Sequence, residues 1–151
     1  MLFSKKEFLM PIDGEIINLE KVPDEVFSQK MMGDGFAINP SSGKVYSPID
    51  GEIKTAFPTG HAVGISNSKL EVLIHFGMDT VNLKGEGFDL KVAVGDTVKK
   101  GDLLIDIDLK SIKSKVPSTI TPVIFTGGID KINLSDLEYK TQSSKDPILK
   151  Y

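Results

Sequence analysis

The chain contains only two histidines, His61 and His75, and they stand in two apolar, strand-like runs on either side of a polar turn. The runs are Phe57-Pro58-Thr59-Gly60-His61-Ala62-Val63-Gly64-Ile65 and Leu70-Glu71-Val72-Leu73-Ile74-His75-Phe76-Gly77, joined by Ser66-Asn67-Ser68-Lys69. This pattern predicts a β-hairpin. A three-residue loop centred on Ser68 sets Val63 opposite Leu73 and His61 opposite His75, whereas a two-residue loop shifts the register by one and turns the histidines to opposite faces. Directly opposed residues have Cβ atoms roughly 4.5 to 5.5 Å apart, close enough for two imidazoles to share a ligand or a transferred group. A single strand histidine is more often a half-buried, hydrogen-bonded side chain. The pairing is what favours chemistry here.

Neighbouring residues add to the site. Thr59 precedes His61 by two, so on an extended backbone both side chains share a face and the hydroxyl can bond an imidazole nitrogen. Gly77 follows His75 by two, where its carbonyl can orient that ring and leave the other nitrogen as nucleophile. Gly77 is equally a turn position needing an unusual backbone conformation. Three chemistries fit. A serine hydrolase lacks a Gly-x-Ser-x-Gly elbow. A zinc-dependent hydrolase finds three ligand types in His61, His75 and Asp79, the last two spaced as His-x-x-x-Asp, but lacks the additional histidine of cell-wall zinc endopeptidases. A phosphoryl-carrying histidine needs an exposed neutral nitrogen, a second donor for the phosphate and an apolar rim that partners can cover, and all three are present.

The elements that must position these residues read as all-β. Expected strands are Gly14-Asn18, Phe36-Pro40, Lys44-Ser47, Gly51-Ala56, His61-Ser66, Leu70-Phe76, Lys91-Val92, Leu103-Asp108 and Pro122-Phe125, with another near Leu137-Thr141. Helix is confined to single turns at Pro23-Phe27 and Leu109-Lys115. The hexapeptide Pro11-Ile12-Asp13-Gly14-Glu15-Ile16 recurs unchanged as Pro48-Ile49-Asp50-Gly51-Glu52-Ile53. Asp-Gly suits a tight turn and Glu-Ile starts a strand, so the duplication predicts a sandwich with internal symmetry. Val94-Gly95-Asp96-Thr97-Val98-Lys99-Lys100-Gly101-Asp102-Leu103-Leu104 resembles the hammerhead turn of biotinyl and lipoyl carrier domains. Their modified-lysine motifs are missing, which argues against a swinging arm.

At 151 residues the chain suits one domain with its own core. It has no cysteine, which removes disulfides, thiolate metal sites and a cysteine nucleophile. A net charge of −3 leaves no basic footprint for nucleic acid. The first ten residues lack the apolar stretch and cleavage site of a secretory signal, and no run reaches membrane-spanning length, so a cytoplasmic protein is expected.

Val72-Leu73-Ile74-His75-Phe76-Gly77-Met78-Asp79-Thr80-Val81-Asn82-Leu83-Lys84-Gly85-Glu86-Gly87-Phe88 resembles the signature around the phosphorylated histidine of glucose-type IIA proteins of the bacterial sugar phosphotransferase system. Thr59-Gly60-His61-Ala62 resembles their second-histidine motif. Val22-Pro23-Asp24 and Met31-Met32-Gly33-Asp34-Gly35 resemble the segment beside their docking surface, so the likeness spans nearly the whole chain. It implies a single IIA-type domain over 1–151, with a short N-terminal arm at 1–10, folded as an antiparallel β-sandwich of the barrel-sandwich hybrid type. It also implies that His75 takes phosphate on Nε2 from the HPr phosphocarrier protein and passes it to a cysteine on the IIB domain of a membrane sugar permease. His61 would hydrogen-bond the phosphate, Thr59 would hold that ring and the Gly77 carbonyl the other, without metal or cofactor. Asp24 and Asp79 would meet an arginine of HPr, and Val26, Met31, Met32, Phe57 and Leu73 would form the apolar rim. A monomer that docks transiently at the membrane is expected. Two departures, Gly60 for the asparagine of enteric members and Glu25 for an apolar residue, fall on the rim. Leu2, Phe3 and Leu9 with Lys5 and Lys6 make only a weak amphipathic arm.

Overall fold

The computed structural model describes residues 5–151. Within them the chain runs β1 (Glu7–Leu9), β2 (Gly14–Asn18), α1 (Glu25–Ser28), β3 (Asp34–Pro40), β4 (Lys44–Tyr46), β5 (Gly51–Ala56), β6 (Ala62–Ser66), β7 (Glu71–His75), β8 (Phe88–Leu90), β9 (Thr97–Val98), β10 (Leu103–Ile107), α2 (Leu109–Ile112), β11 (Thr121–Gly127), β12 (Thr141–Gln142) and β13 (Pro147–Lys150). Eight strands make one sheet in the order β12-β2-β3-β11-β7-β6-β5-β9. A three-stranded sheet, β4-β10-β8, and the pair β1-β13 complete the sandwich, and every strand pair is antiparallel. The all-β expectation holds, with single-turn helices where prolines and acids suggested them. No helix among the described residues is long and apolar enough to cross a membrane.

The duplicated hexapeptide builds the frame. Its first copy leads into β2 and its second into β5, and each of these strands is flanked by a long partner and a two-residue one. Ile12, Ile16, Ile49 and Ile53 all point into the main core. The copies lock each other: Leu9 N–H donates to the Pro48 carbonyl at 3.0 Å, and Tyr46 N–H donates to the Pro11 carbonyl at 2.8 Å. The two repeat aspartates play matching roles. Asp13 accepts from Ser144 N–H at 2.6 Å, and Asp50 from Lys100 N–H at 2.8 Å. Each carboxylate therefore pins a distant hammerhead-like turn to its own strand entry, so the repeat acts as structure.

Four expectations need correction. The N-terminal segment is no free arm from Glu7 onward, because β1 pairs with β13 and Phe8 and Met10 are fully buried; Leu2 and Phe3 lie outside the described residues. The strand expected at Lys91-Val92 lies earlier, at Phe88–Leu90 against β10. Near Leu137 the chain makes a 3-10 turn, Leu134–Asp136, capped by the Asn133 side chain, and pairing begins only at Thr141. The strands β1, β9 and β13 were not anticipated, being only two to four residues long.

The outward face of the large sheet carries a second, smaller core. Leu19 of the 3-10 turn Leu19–Lys21, Val22 just after it and Phe27 of α1 cover Ala37 of β3 and Ile124 of β11, with Leu73 of β7 at the margin. Burying each such side chain favours the fold by about 1.5 to 3 kcal/mol. This cover fixes α1 over the end of β7, where His75 lies.

Candidate functional site

His75 is the last residue of β7, and alternation along that strand sends Val72 and Ile74 inward while Leu73 and His75 face out. The hairpin register differs by one residue from the expected one. Ala62 lies opposite His75 and Val63 opposite Ile74, because the turn is the tighter form, with Asn67 N–H donating to the Leu70 carbonyl at 2.9 Å. The Asn67 side chain enforces it by accepting from Lys69 N–H and Leu70 N–H.

Strand alternation alone would send His61 to the far face. It does not, because β6 begins only at Ala62, and His61 sits on a bend after Gly60, whose φ is +77°. Freed from the pleat, the His61 ring meets the His75 ring edge to face, with centroids 5.1 Å apart and planes at 77°. Gly60 suits this bend: a Cβ there would stand 3.0 Å from Phe88 Cβ, and its φ lies in the region tolerated best by glycine and then asparagine.

Both rings are anchored through Nδ1. His75 Nδ1 lies 2.9 Å from the Gly77 carbonyl, which can only accept, so Nδ1 carries the proton and Nε2 presents a lone pair. Gly77 itself has φ +71°, and a Cβ there would come within 2.9 Å of the Ser118 carbonyl. His61 Nδ1 lies 2.6 Å from Thr59 Oγ1. Phe76 N–H donates to the His61 carbonyl at 2.7 Å, so the two histidine segments are also tied through the backbone.

Burial disfavours the charged form of both imidazoles. His61, with only 3% of its surface exposed, is pushed down to about 4 by desolvation and then by the neighbouring His75. Desolvation also lowers His75, opposed by the hydrogen bond to Gly77 and by the Asp24 charge. Aromatic rings bracket the pair, Phe27 on His75 at 5.1 Å and Phe57 on His61 at 5.2 Å.

Of the expected rim residues, Phe57 lies against His61, and Leu73 stands two residues before His75 on the same strand face. Val26, Met31, Met32 and Phe57 are exposed apolar side chains, with Met31 at 69%. Met32, Phe57 and Leu73 line one hollow of about 390 Å³. A larger hollow, about 640 Å³ along β1 and β13, holds lysines and acids but neither histidine. Asp24 caps α1 by accepting from Val26 N–H at 2.8 Å. Asp79 is exposed, with φ +56°, and no group of three or more His, Cys, Asp or Glu residues among the described residues is arranged to hold a metal ion. The zinc-hydrolase alternative from His61, His75 and Asp79 therefore lacks its ligand set. Two neighbours escaped the sequence reading: Phe27 against His75, and buried Thr80, whose hydroxyl donates to the Phe76 carbonyl. Only the folding of α1 over β7 reveals the first.

The family model described as the phosphoenolpyruvate-dependent sugar phosphotransferase system, EIIA 1, matches residues 6–144. The chain belongs to this family. As an EIIA chain it is a phosphocarrier component of a sugar phosphotransferase system, in line with the sequence expectation. The PTS system glucosamine-specific EIICBA component of Bacillus subtilis (strain 168) is 56% identical to this EIIA chain over 124 residues, 82% of the chain and 20% of that protein. The chain thus spans about a fifth of the length of that curated relative. Among solved structures, the glucose permease IIA from Mycoplasma capricolum superposes with a TM-score of 0.92 at 43% identity, over 99% of this chain and 98% of that one.

Proposed function

We propose that His75 is the phosphoryl acceptor of this EIIA chain, taking the group from the phosphohistidine of HPr and delivering it to a cysteine on the IIB domain of a glucose-type permease. The observation that carries this reading is the commitment of His75 Nδ1 to the Gly77 carbonyl, which leaves Nε2 as a neutral nucleophile beside a second imidazole. The Nε2 lone pair attacks phosphorus, the new N–P bond forms as the donor's N–P bond breaks, and those electrons return to the donor imidazole. In the second transfer a thiolate of IIB takes the phosphoryl group and the Nε2 lone pair is restored. His61, with Thr59 donating to its Nδ1, turns Nε2–H toward the phosphate and stabilises it. Alignment and charge stabilisation account for such a step without metal or cofactor.

The rim fits two successive partners. Val26, Met31, Met32, Phe57 and Leu73 form the apolar part, and methionine repacks readily against different surfaces. Asp24 and Asp79 supply charge for a basic partner such as an arginine of HPr, which speeds encounter more than it prolongs the complex. The exchange takes place in the cytoplasm, by a monomer that docks transiently at the membrane permease.

The test is incubation with phosphoenolpyruvate, enzyme I and HPr, followed by assay for acid-labile, alkali-stable phosphate. Labelling is expected in the wild type and absent in His75→Ala. His61→Gln should accept phosphate yet pass it to IIB poorly. Label surviving in His75→Ala would overturn the assignment.

A further inference from the structure

We propose that Thr80 is a positioning residue that sets the tautomer of His75 through the Phe76–Gly77 peptide. The inference rests on the reading of His75 as acceptor. Thr80 opens the 3-10 turn Thr80–Leu83, is completely buried, and donates from Oγ1 to the Phe76 carbonyl at 2.7 Å. Its methyl group lies against Gly77, since a Cβ built on that glycine would come within 2.8 Å of Thr80 Cγ2.

This placement matters because Gly77 is the freest joint in the loop that aims a carbonyl at His75. Three hydrogen bonds restrain the peptides around it. Phe76 N–H is held by the His61 carbonyl at 2.7 Å, Met78 N–H by the Ser118 carbonyl at 2.9 Å, and the Phe76 carbonyl by Thr80. The first two are backbone to backbone. Only the third comes from a side chain, and it restrains the peptide plane that enters Gly77. Without it a buried carbonyl loses its partner, and the plane turns to find another. Turning that plane changes the Gly77 torsion on which its carbonyl is aimed, and against the hold of Met78 N–H on Ser118 it draws the carbonyl off His75 Nδ1 from its present 2.9 Å. The Nδ1–H form then loses its acceptor, and the ring redistributes toward the Nε2–H form, whose lone pair sits on the wrong nitrogen.

The decisive variant is Thr80→Val, which keeps the shape and removes the donor. In ¹⁵N-labelled protein above the titration range of both histidines, the wild type should show His75 protonated on Nδ1 and bare on Nε2. Thr80→Val should move both His75 ¹⁵N shifts toward a mixed population and slow phosphoryl acceptance from phospho-HPr roughly five- to tenfold. Thr80→Ser should restore both readouts. A folded Thr80→Val protein with an unmoved His75 tautomer and the wild-type rate overturns the proposal. Should the valine variant not fold, Thr80→Cys, a weak donor of similar size, must shift the His75 signals while Thr80→Ser does not; wild-type signals in the cysteine variant overturn the proposal equally. The tautomer is read without any phosphoryl donor. A wild type that never labels at His75 would therefore sink the acceptor reading, while the ¹⁵N shifts still decide the role of Thr80.

Discussion

Replacing His61 with glutamine should make the fold more resistant to acid. In the unfolded chain the imidazole takes a proton near its ordinary 6.5, but in the folded chain burial and the adjacent His75 hold it down to about 4. Above the first value neither state is charged and the ring contributes nothing to pH dependence. Below it the unfolded state binds protons that the folded state refuses, so stability falls as pH drops from 6.5 toward about 4. Each pH unit in that window costs about 1.4 kcal/mol, so moving from about pH 7 to about pH 5 removes about 2 kcal/mol through His61 alone. For a domain of ordinary stability that is a substantial fraction of the total.

Glutamine cannot titrate, and its carbonyl can accept from Thr59 as Nδ1 does. Carboxylates and His75 remain in both proteins, so their contributions cancel to first order in the difference. Urea unfolding of wild type and His61→Gln at the two pH values isolates the ring, provided the m-values agree. The wild type should lose about 2 kcal/mol more than the variant over this interval. Equal losses would refute the argument that burial neutralises His61, as would a native-state NMR titration placing the His61 midpoint at or above its ordinary value.

Gly77→Ala should destabilise by about 2 to 4 kcal/mol, combining left-handed strain with a Cβ forced toward the Ser118 carbonyl, and chemical denaturation will show it. Asp24→Asn keeps a competent helix cap but removes a charge that supports protonation of His75, so the His75 midpoint in an NMR titration should fall while stability changes by less than about 0.5 kcal/mol. Asp13→Ala and Asp50→Ala should each cost about 1 kcal/mol in thermal or urea unfolding, with the larger loss at the less exposed Asp13, because each removes the acceptor that holds a distant turn.

The sequence made the strands around the histidines legible because their apolar runs are long and bounded by Gly, Pro and Asp. The short strands at Glu7–Leu9 and Pro147–Lys150 were not legible, since three or four residues carry too little pattern and their pairing spans almost the entire chain. The proximity of His61 and His75 was anticipated on a hairpin register that proved one residue off. What rescued it is the bend at Gly60, a tertiary feature in which His61 escapes the strand and with it the strand's alternation. Phe27 was illegible as a site residue for a similar reason. Its place on His75 depends on the small core of Leu19, Val22 and Ile124 that lays α1 over the sheet.

The two anchoring bonds also explain how one residue type can fill two roles. A backbone carbonyl only accepts, so Gly77 dictates the His75 tautomer and commits that ring to being a nucleophile. A hydroxyl can donate or accept, so Thr59 by itself permits either tautomer at His61. What selects the His61 form is whatever faces its Nε2. Opposite a lone pair or a phosphate oxygen, the Nε2–H form gains a hydrogen bond and Thr59 swings to donate. Thr59→Val removes that adaptability without touching His75, so it should leave phosphoryl acceptance nearly intact and weaken retention of the phosphate, seen as faster hydrolysis of the labelled protein by about five- to tenfold. Unchanged hydrolysis in a folded Thr59→Val protein would mean that the hydroxyl has no part in holding His61 toward the phosphate.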